Sequence, residues 1–251
     1  MSLLELDRLT VKRGECPVVD GVDLNVEPGE FVGLIGPNGA GKTSLLRGAL
    51  GLLPHQGRSN LADMTPRARA RHAAWLPQAR EVTWPVSVEM LVALGRTPWL
   101  GSVGPAGADR AAVDRALARM GLDAFRHRTA TELSGGEQAR VLIARVLAQD
   151  TPLILADEPT AGLDPAAQIQ SCAVFADLAA EGRGVVASLH DLGLAARHCT
   201  RIVMLSRGRL VADGTPADVL TSENLRSVFG LRAYFAQTAD GPVFQPLSVT
   251  R

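Results

Sequence analysis

Gly36 to Thr43 reads GPNGAGKT. It fits G-x-x-x-x-G-K-[ST] in full, and its flanks decide how it is read. The five residues before it, Phe31 to Ile35, form an apolar run that predicts a buried strand. After it, Ser44-Leu45-Leu46-Arg47 predicts the start of a helix. A strand, a glycine loop and a helix in that order make a phosphate cradle. Gly36, Gly39 and Gly41 let the backbone turn tightly, so that consecutive N–H groups face one anion. The helix start behind them adds the positive end of its dipole. The expected site residues are Gly36, Pro37, Asn38, Gly39, Ala40, Gly41, Lys42, Thr43 and Ser44. Lys42 would reach the outer phosphates, and the Thr43 hydroxyl would bind Mg2+. The chain has only two lysines, Lys12 and Lys42.

The 251 residues suit one large domain or two intimately joined ones. Hydrophobic residues make up 46% and aromatics only 4%, so Leu, Val, Ile and Ala must fill the core. Twenty-six basic residues balance 26 acidic ones. Neutrality gives no electrostatic case for nucleic acid. Met1 to Thr10 carries Glu5 and Asp7 among its apolar residues and lacks the pattern of a signal peptide. No apolar run approaches the 18 residues of a membrane span. Cys16, Cys172 and Cys199 are far apart and odd in number, and are expected to be buried small hydrophobes. A cytosolic location is expected.

Leu3–Val11 and Val18–Val26 alternate loosely and predict an antiparallel pair. A short helix is expected from Thr65-Pro66 and a short strand over Ala73–Leu76. From Gln78 to about Thr151 strand signals vanish, and Pro85, Pro98 and Pro105 mark loops. Helices are expected after Ser87 (through Val88, Leu91, Val92 and Leu94), over Asp109–Met120, and from Ser134. Strand character returns at Leu153–Ala156. Asp164-Pro165 caps a helix reaching about Glu181, and Val185–Leu189 is a buried strand. A hairpin over Ile202–Leu205 and Leu210–Ala212 and a short helix at Thr215-Pro216 follow. Strands alternating with helices imply a mostly parallel sheet covered on both faces. No internal repeat is evident.

Three further motifs carry chemistry. LILADEPTAGLD, Leu153 to Asp164, is an apolar strand ending in two acids, at the edge of a parallel sheet where ligands bind. Asp157 would hold Mg2+, and Glu158 would orient or deprotonate a water. LSGGEQAR, Leu133 to Arg140, contains a capping box in Ser134 and Glu137. The box does not explain Gly135 and Gly136 in the first helical turn, where each costs stability. Bare backbone there would let an anion approach the N–H groups. His190 ends a buried strand, and Gln78 stands where the core passes into the helical stretch.

In this order the pieces resemble the ATPase subunit of an ABC transporter, over about Leu3 to Gly230. GPNGAGKT is similar to Walker A, Gln78 to the Q-loop and LSGGE to the signature. LILADE resembles Walker B with its catalytic Glu158, Ala161 to Asp164 the D-loop, and His190 the switch histidine. The resemblance implies an α/β P-loop NTPase core with a mostly parallel sheet, an N-terminal antiparallel β subdomain and a helical insertion. It divides the chain into a core (1–78 and 152–230), a helical subdomain (79–151) and a short C-terminal extension (231–251). It implies ATP hydrolysis with Mg2+ held by Thr43, Gln78 and Asp157, and Glu158, His190 and Gln78 as catalytic residues. Two copies would sandwich ATP head to tail, with Ser134, Gly135, Gly136, Glu137 and Asp164 of one copy facing the nucleotide of the other. The implied partners are an integral membrane permease and, indirectly, a periplasmic substrate-binding protein, with the ATPase on the inner face of the cell membrane.

A finer resemblance rests on WLPQ, Trp75 to Gln78, on VALGRTPWLG, Val92 to Gly101, and on length. These are similar to importers of ferric siderophores, haem or cobalamin. Three positions depart from the family pattern. No aromatic stands near residues 11 to 13 to stack on adenine. Arg13 either stacks its guanidinium plane there or belongs to a solvated basic turn. Glu137 replaces the commoner Gln, and Ala139 stands where a Gln often does. The alternatives are another transporter class and a non-transport ABC ATPase. A single cassette, only 55 residues between Gln78 and Ser134, and no heptad run weigh against translation-type and repair-type members.

Overall fold

The computed structural model of the chain describes residues 2–79, 82–100, 107–239 and 241–250. Gly101 of the importer-like stretch and Pro105 of the loop reading lie outside them. Strand β1 (Leu4–Arg13) pairs antiparallel with β2 (Cys16–Val26), as the alternation predicts. Then come β3 (Phe31–Ile35), α1 (Lys42–Ala49) and β4 (His55–Ser59). The last lies along the free edge of β1 and completes a three-stranded sheet, β2-β1-β4. No sequence signal marks β4, because HQGRS contains no apolar residue; backbone pairing to an open edge is what makes it a strand.

Helix α2 (Pro66–His72) and β5 (Ala73–Leu76) follow, then α3 (Val88–Ala93), α4 (Gly107–Arg119) and α5 (Gly135–Gln149). Thr65 and Ser87 cap α2 and α3 as expected. Helix α3 stops at Ala93, and Leu94 instead opens a 3-10 stretch to Trp99. Strand β6 (Leu153–Ala156), α6 (Pro165–Ala180), β7 (Gly184–Ser188), α7 (Leu192–His198), β8 (Arg201–Ser206) and β9 (Arg209–Gly214) complete the central layer. The chain ends in α8 (Pro216–Val219), α9 (Ser222–Phe229) and a hairpin of β10 (Leu231–Thr238) and β11 (Gly241–Val249). From sequence those last residues were expected only as a short extension.

The central sheet has the order β5-β6-β7-β3-β8-β9, parallel throughout except β9. Strands β3, β6 and β7 are buried at every position, which is why they read as unbroken apolar runs. Their side chains still alternate between two cores. Val32, Leu34, Leu153, Leu155 and Val186 face α1 and the N-terminal sheet. Phe31, Ile35, Ile154, Ala156, Val185 and Ala187 face the opposite layer, where Phe31 meets Phe175 of α6 edge to face at 6.1 Å. The same core continues into α3, α4 and α5 through Val88, Leu117 and Val141. Cys172 and Cys199 are buried as expected, whereas Cys16 is exposed, because it opens β2 at the rim of the small sheet.

Candidate active site

Four adjacent parallel strands, β5, β6, β7 and β3, deliver their carboxyl ends to one edge. Gln78 follows β5, Asp157-Glu158 follow β6, His190 follows β7, and the glycine loop follows β3. The loop is clamped from both sides. A Cβ at Gly36 would lie 2.3 Å from the Leu205 carbonyl oxygen, and one at Gly41 2.3 Å from that of Val18. Both also have positive φ, 150° and 104°. The Gly208 N–H donates to the Ala40 carbonyl at 3.0 Å, which ties the loop to the β8–β9 turn.

Gly41 stands at the N-cap of α1, and no side chain caps that helix. Its first N–H groups are therefore left for another acceptor. Lys42 folds back across the loop, and its Nζ donates to the carbonyls of Gly36 (2.7 Å) and Pro37 (3.2 Å). Burial pulls the Lys42 pKa below the usual lysine range, while Glu158 and then Asp157 oppose the shift. A cation held only by carbonyl dipoles, near two carboxylates, is set up to exchange those dipoles for phosphate oxygens. Thr43 and Ser44 are half-buried in the first turn, and Asn38 and Gly39 are exposed on the loop.

Asp157 is almost fully buried. Its Oδ1 accepts from the Ser188 hydroxyl at 2.8 Å, and its Oδ2 is buried with no hydrogen-bond partner among the described residues. An orphaned carboxylate oxygen, the Thr43 hydroxyl and the Gln78 amide are hard oxygen donors that fit Mg2+. Among the described residues no group of three His, Cys, Asp or Glu side chains could cage an ion. A cation here would take most of its ligands from phosphate and water.

Glu158 sits between the two other residues expected to be catalytic. Gln78 Nε2 donates to its Oε2 at 2.8 Å, and His190 Nε2 lies 2.5 Å from its Oε1. Glu158 has φ 50°, a left-handed conformation unusual for a non-glycine residue. Its N–H donates to the Ser188 hydroxyl at 2.7 Å. Sequence reasoning passed over Ser188. The available signal was one hydroxyl in an otherwise apolar strand, two residues before His190.

Ser134 caps α5 with a closed capping box. The Glu137 N–H donates to the Ser134 Oγ, and the Ser134 N–H and hydroxyl both donate to the Glu137 carboxylate. Those bonds hold the Glu137 carboxyl below the usual range, the Ser134 side chain first. Gly135 is exposed and Gly136 half-buried. Asp164 caps α6 through the Ala167 N–H, and Leu163 beside it lies 3.8 Å from where a Gly136 Cβ would stand. No hydrogen bond joins Ser134, Gly135 or Gly136 to the Lys42 loop among the described residues. Arg13 is exposed at the end of β1, beside Gly14. The fold thus gathers Gln78, Asp157, Glu158 and His190 with the glycine loop, and leaves the α5 start outside that cluster.

A family model described as ABC transporter matches residues 19–161. The cobalamin import ATP-binding protein BtuD of Halobacterium salinarum is 42% identical over 236 residues, covering 91% of this chain. The chain spans only 59% of that relative's length. The hemin import ATP-binding protein HmuV of Pseudomonas fluorescens is 43% identical over 91% of this chain and 93% of its own. Among solved structures, an inward-facing ABC transporter, provisionally of the metal-chelate type, is 27% identical. It superposes with a TM-score of 0.85 over 99% of this chain and 98% of its own. An ATP-binding cassette in a dimeric post-hydrolysis state, bound to ADP and Pi, has a TM-score of 0.74 at 27% identity. It covers 85% of this chain and 98% of its own.

Proposed function

The chain belongs to the ABC transporter ATPase family, and from that premise we propose that it is the ATP-binding, ATP-hydrolysing subunit of an importer for haem, cobalamin or ferric siderophore. One observation carries the hydrolytic part. Glu158 is presented at the sheet edge beside the Lys42 loop, with Gln78 and His190 on its two oxygens. The names of the relatives support haem and cobalamin as cargo. Ferric siderophore rests on the sequence resemblance.

In this reading the glycine loop and the α1 N-terminus bind the phosphates, and Lys42 neutralises the outer ones. Mg2+, held through Thr43, Asp157 and Gln78, would offset charge on the transferring phosphoryl group. Glu158 positions the attacking water and takes its proton, and His190 and Gln78 hold that carboxylate and sense the γ-phosphate. Ser134, Gly135, Gly136, Glu137 and Asp164 complete the site of a second copy in a head-to-tail dimer. Arg13 lies on the side of the base.

The division into core (1–78, 152–230), helical subdomain (79–151) and short C-terminal extension (231–251) follows the same reading. The helical subdomain docks an integral membrane permease. Trp84, Met90 and Leu94 support this, being 66%, 56% and 42% exposed between Gln78 and α5. No helix among the described residues is long and apolar enough to cross a membrane. The ATPase would therefore reach the inner face of the cell membrane through that permease. A periplasmic binding protein would deliver the cargo from the other side.

The test is uptake of labelled haem, cobalamin and ferric siderophore, paired with ATPase assays, in wild type and Glu158→Gln. The variant should bind ATP, accumulate a closed dimer, lose hydrolysis by about 100-fold or more, and lose uptake of one cargo. Near-normal turnover would remove Glu158 from its role. Unchanged uptake of all three cargoes would remove this importer subfamily and leave the ATPase assignment standing.

A further inference from the structure

We propose that Ser188 is a positioning residue for Mg2+-dependent hydrolysis, in which one buried hydroxyl fixes the Asp157 carboxylate and the Glu158 backbone together. The inference rests on the functional reading above and assigns a role to a side chain outside its motifs. Ser188 is fully buried at the end of β7, in the run Gly-Val-Val-Ala-Ser. A hydroxyl in such a place is costly unless it is paired.

Its pairing has a forced direction. The Glu158 N–H can only donate, so it uses a lone pair of the Ser188 oxygen at 2.7 Å. The Ser188 proton is then free for Asp157 Oδ1, at 2.8 Å. Two consequences follow. Asp157 is anchored through Oδ1, so Oδ2, buried and without a partner among the described residues, is the oxygen left for a cation. Glu158 is tied by its N–H into a left-handed conformation, φ 50°, that a non-glycine residue keeps only where its surroundings over-determine it. Neighbouring ties hold the same turn: the Asp157 N–H donates to the Leu76 carbonyl, and the Ala161 N–H to that of Glu158. Ser188 also lies two residues before His190, on the strand that pairs with β6. One hydroxyl therefore sets the relative position of the acid meant for the cation, the acid meant for the water, and the strand end carrying the histidine.

The variants are Ser188→Ala, Ser188→Cys and Ser188→Thr, with Glu158→Gln as control. The Ala and Cys variants should lower kcat by about 10–100-fold, the usual effect of losing a partner that orients a ligand. Nucleotide affinity in EDTA should stay at the wild-type value, while the gain in affinity on adding Mg2+ shrinks. Amide hydrogen exchange of Glu158 in the nucleotide-free protein should quicken about 10-fold or more. Thr keeps the hydroxyl and should restore the Mg2+ gain and the exchange protection. Wild-type kcat and Mg2+ gain in the Cys variant would overturn the proposal, even if the Ala variant failed to fold. So would a folded Thr variant as impaired as Ala, which would mean that packing alone matters. If Glu158→Gln is inactive while the Ser188 variants are normal, only this inference fails. If Glu158→Gln turns over normally, the functional reading fails first.

Discussion

Glycines stand at the starts of both α1 and α5, but they answer to different demands. At α1 the chain itself requires them. Gly36 and Gly41 have positive φ, and a Cβ on either would enter a carbonyl oxygen at 2.3 Å. At α5 nothing in the chain requires them. Neither Gly135 nor Gly136 has positive φ. A Cβ on Gly135 would meet nothing within 4 Å, and one on Gly136 only the Leu163 side chain at 3.8 Å, an ordinary contact. The caps differ as well. Helix α1 has no side-chain cap, whereas α5 has a closed capping box. The first start is shaped by the fold around it, and the second is closed by its own capping box. A glycine that its own chain does not demand leaves bare backbone that another molecule can approach closely. For α5, the proposed partner is the nucleotide of a second copy.

The largest effect is expected at the first start. Gly41→Ala forces a Cβ against the Val18 carbonyl in a backbone conformation that side chains avoid. The cost should be about 2–4 kcal/mol from overpacking and backbone strain together. Chemical denaturation would read that loss, and ATP titration should show binding weakened beyond detection. A variant with wild-type stability would mean that the clamp on the loop relaxes freely. Next comes Ser134→Arg. Losing the cap should cost about 1 kcal/mol, or roughly 2–4 °C in Tm for a chain of this size. ATP binding by the isolated chain should hardly change, yet turnover should fall by about 100-fold or more, as when a preorganised donor is lost. Turnover that falls only as far as stability does would reduce Ser134 to a cap.

The same contrast explains what was legible in the sequence. Strands β3, β6 and β7 were visible because burial on both faces leaves an unbroken apolar run. The candidate site segments that follow them stand out because their residues match a phosphate-binding pattern. Elements formed by tertiary pairing were not visible. Strand β4 carries no apolar residue and exists because β1 has an open edge. The terminal hairpin has Pro242 and Pro246 in its second strand and is held by Phe235 and Phe244 against the core near α7. Helix α7 did leave a signal, with Asp191 as its cap accepting from the Leu194 N–H. Helix α9 likewise has Thr221 as its cap and Gly230 at its left-handed end. Ser188 was the hardest to see. Its role depends on two residues 30 and 31 positions away, which the pairing of β6 with β7 brings within reach.

The smallest effect is the sharpest, because its two parts should have opposite signs. Gly135→Ala replaces the poorest non-proline helix former with the best, at an exposed position with open space for the methyl group. The chain should gain stability, by about 0.5 kcal/mol rather than the full interior value, since Gly135 lies in the first turn. Thermal melting should show a rise of roughly 1–2 °C. Nucleotide binding at the Lys42 loop should be unaffected. ATP hydrolysis should nevertheless fall by about 10-fold, because the methyl group holds the partner's phosphate off the N–H groups that the glycine leaves bare. A substitution that improves the fold and harms the activity identifies a residue kept for an external contact. If stability rises and hydrolysis stays intact, Gly135 is merely tolerated, and α5 meets its partner through Ser134 alone. If stability falls, the chain constrains Gly135 after all, and the contrast between the two helix starts disappears.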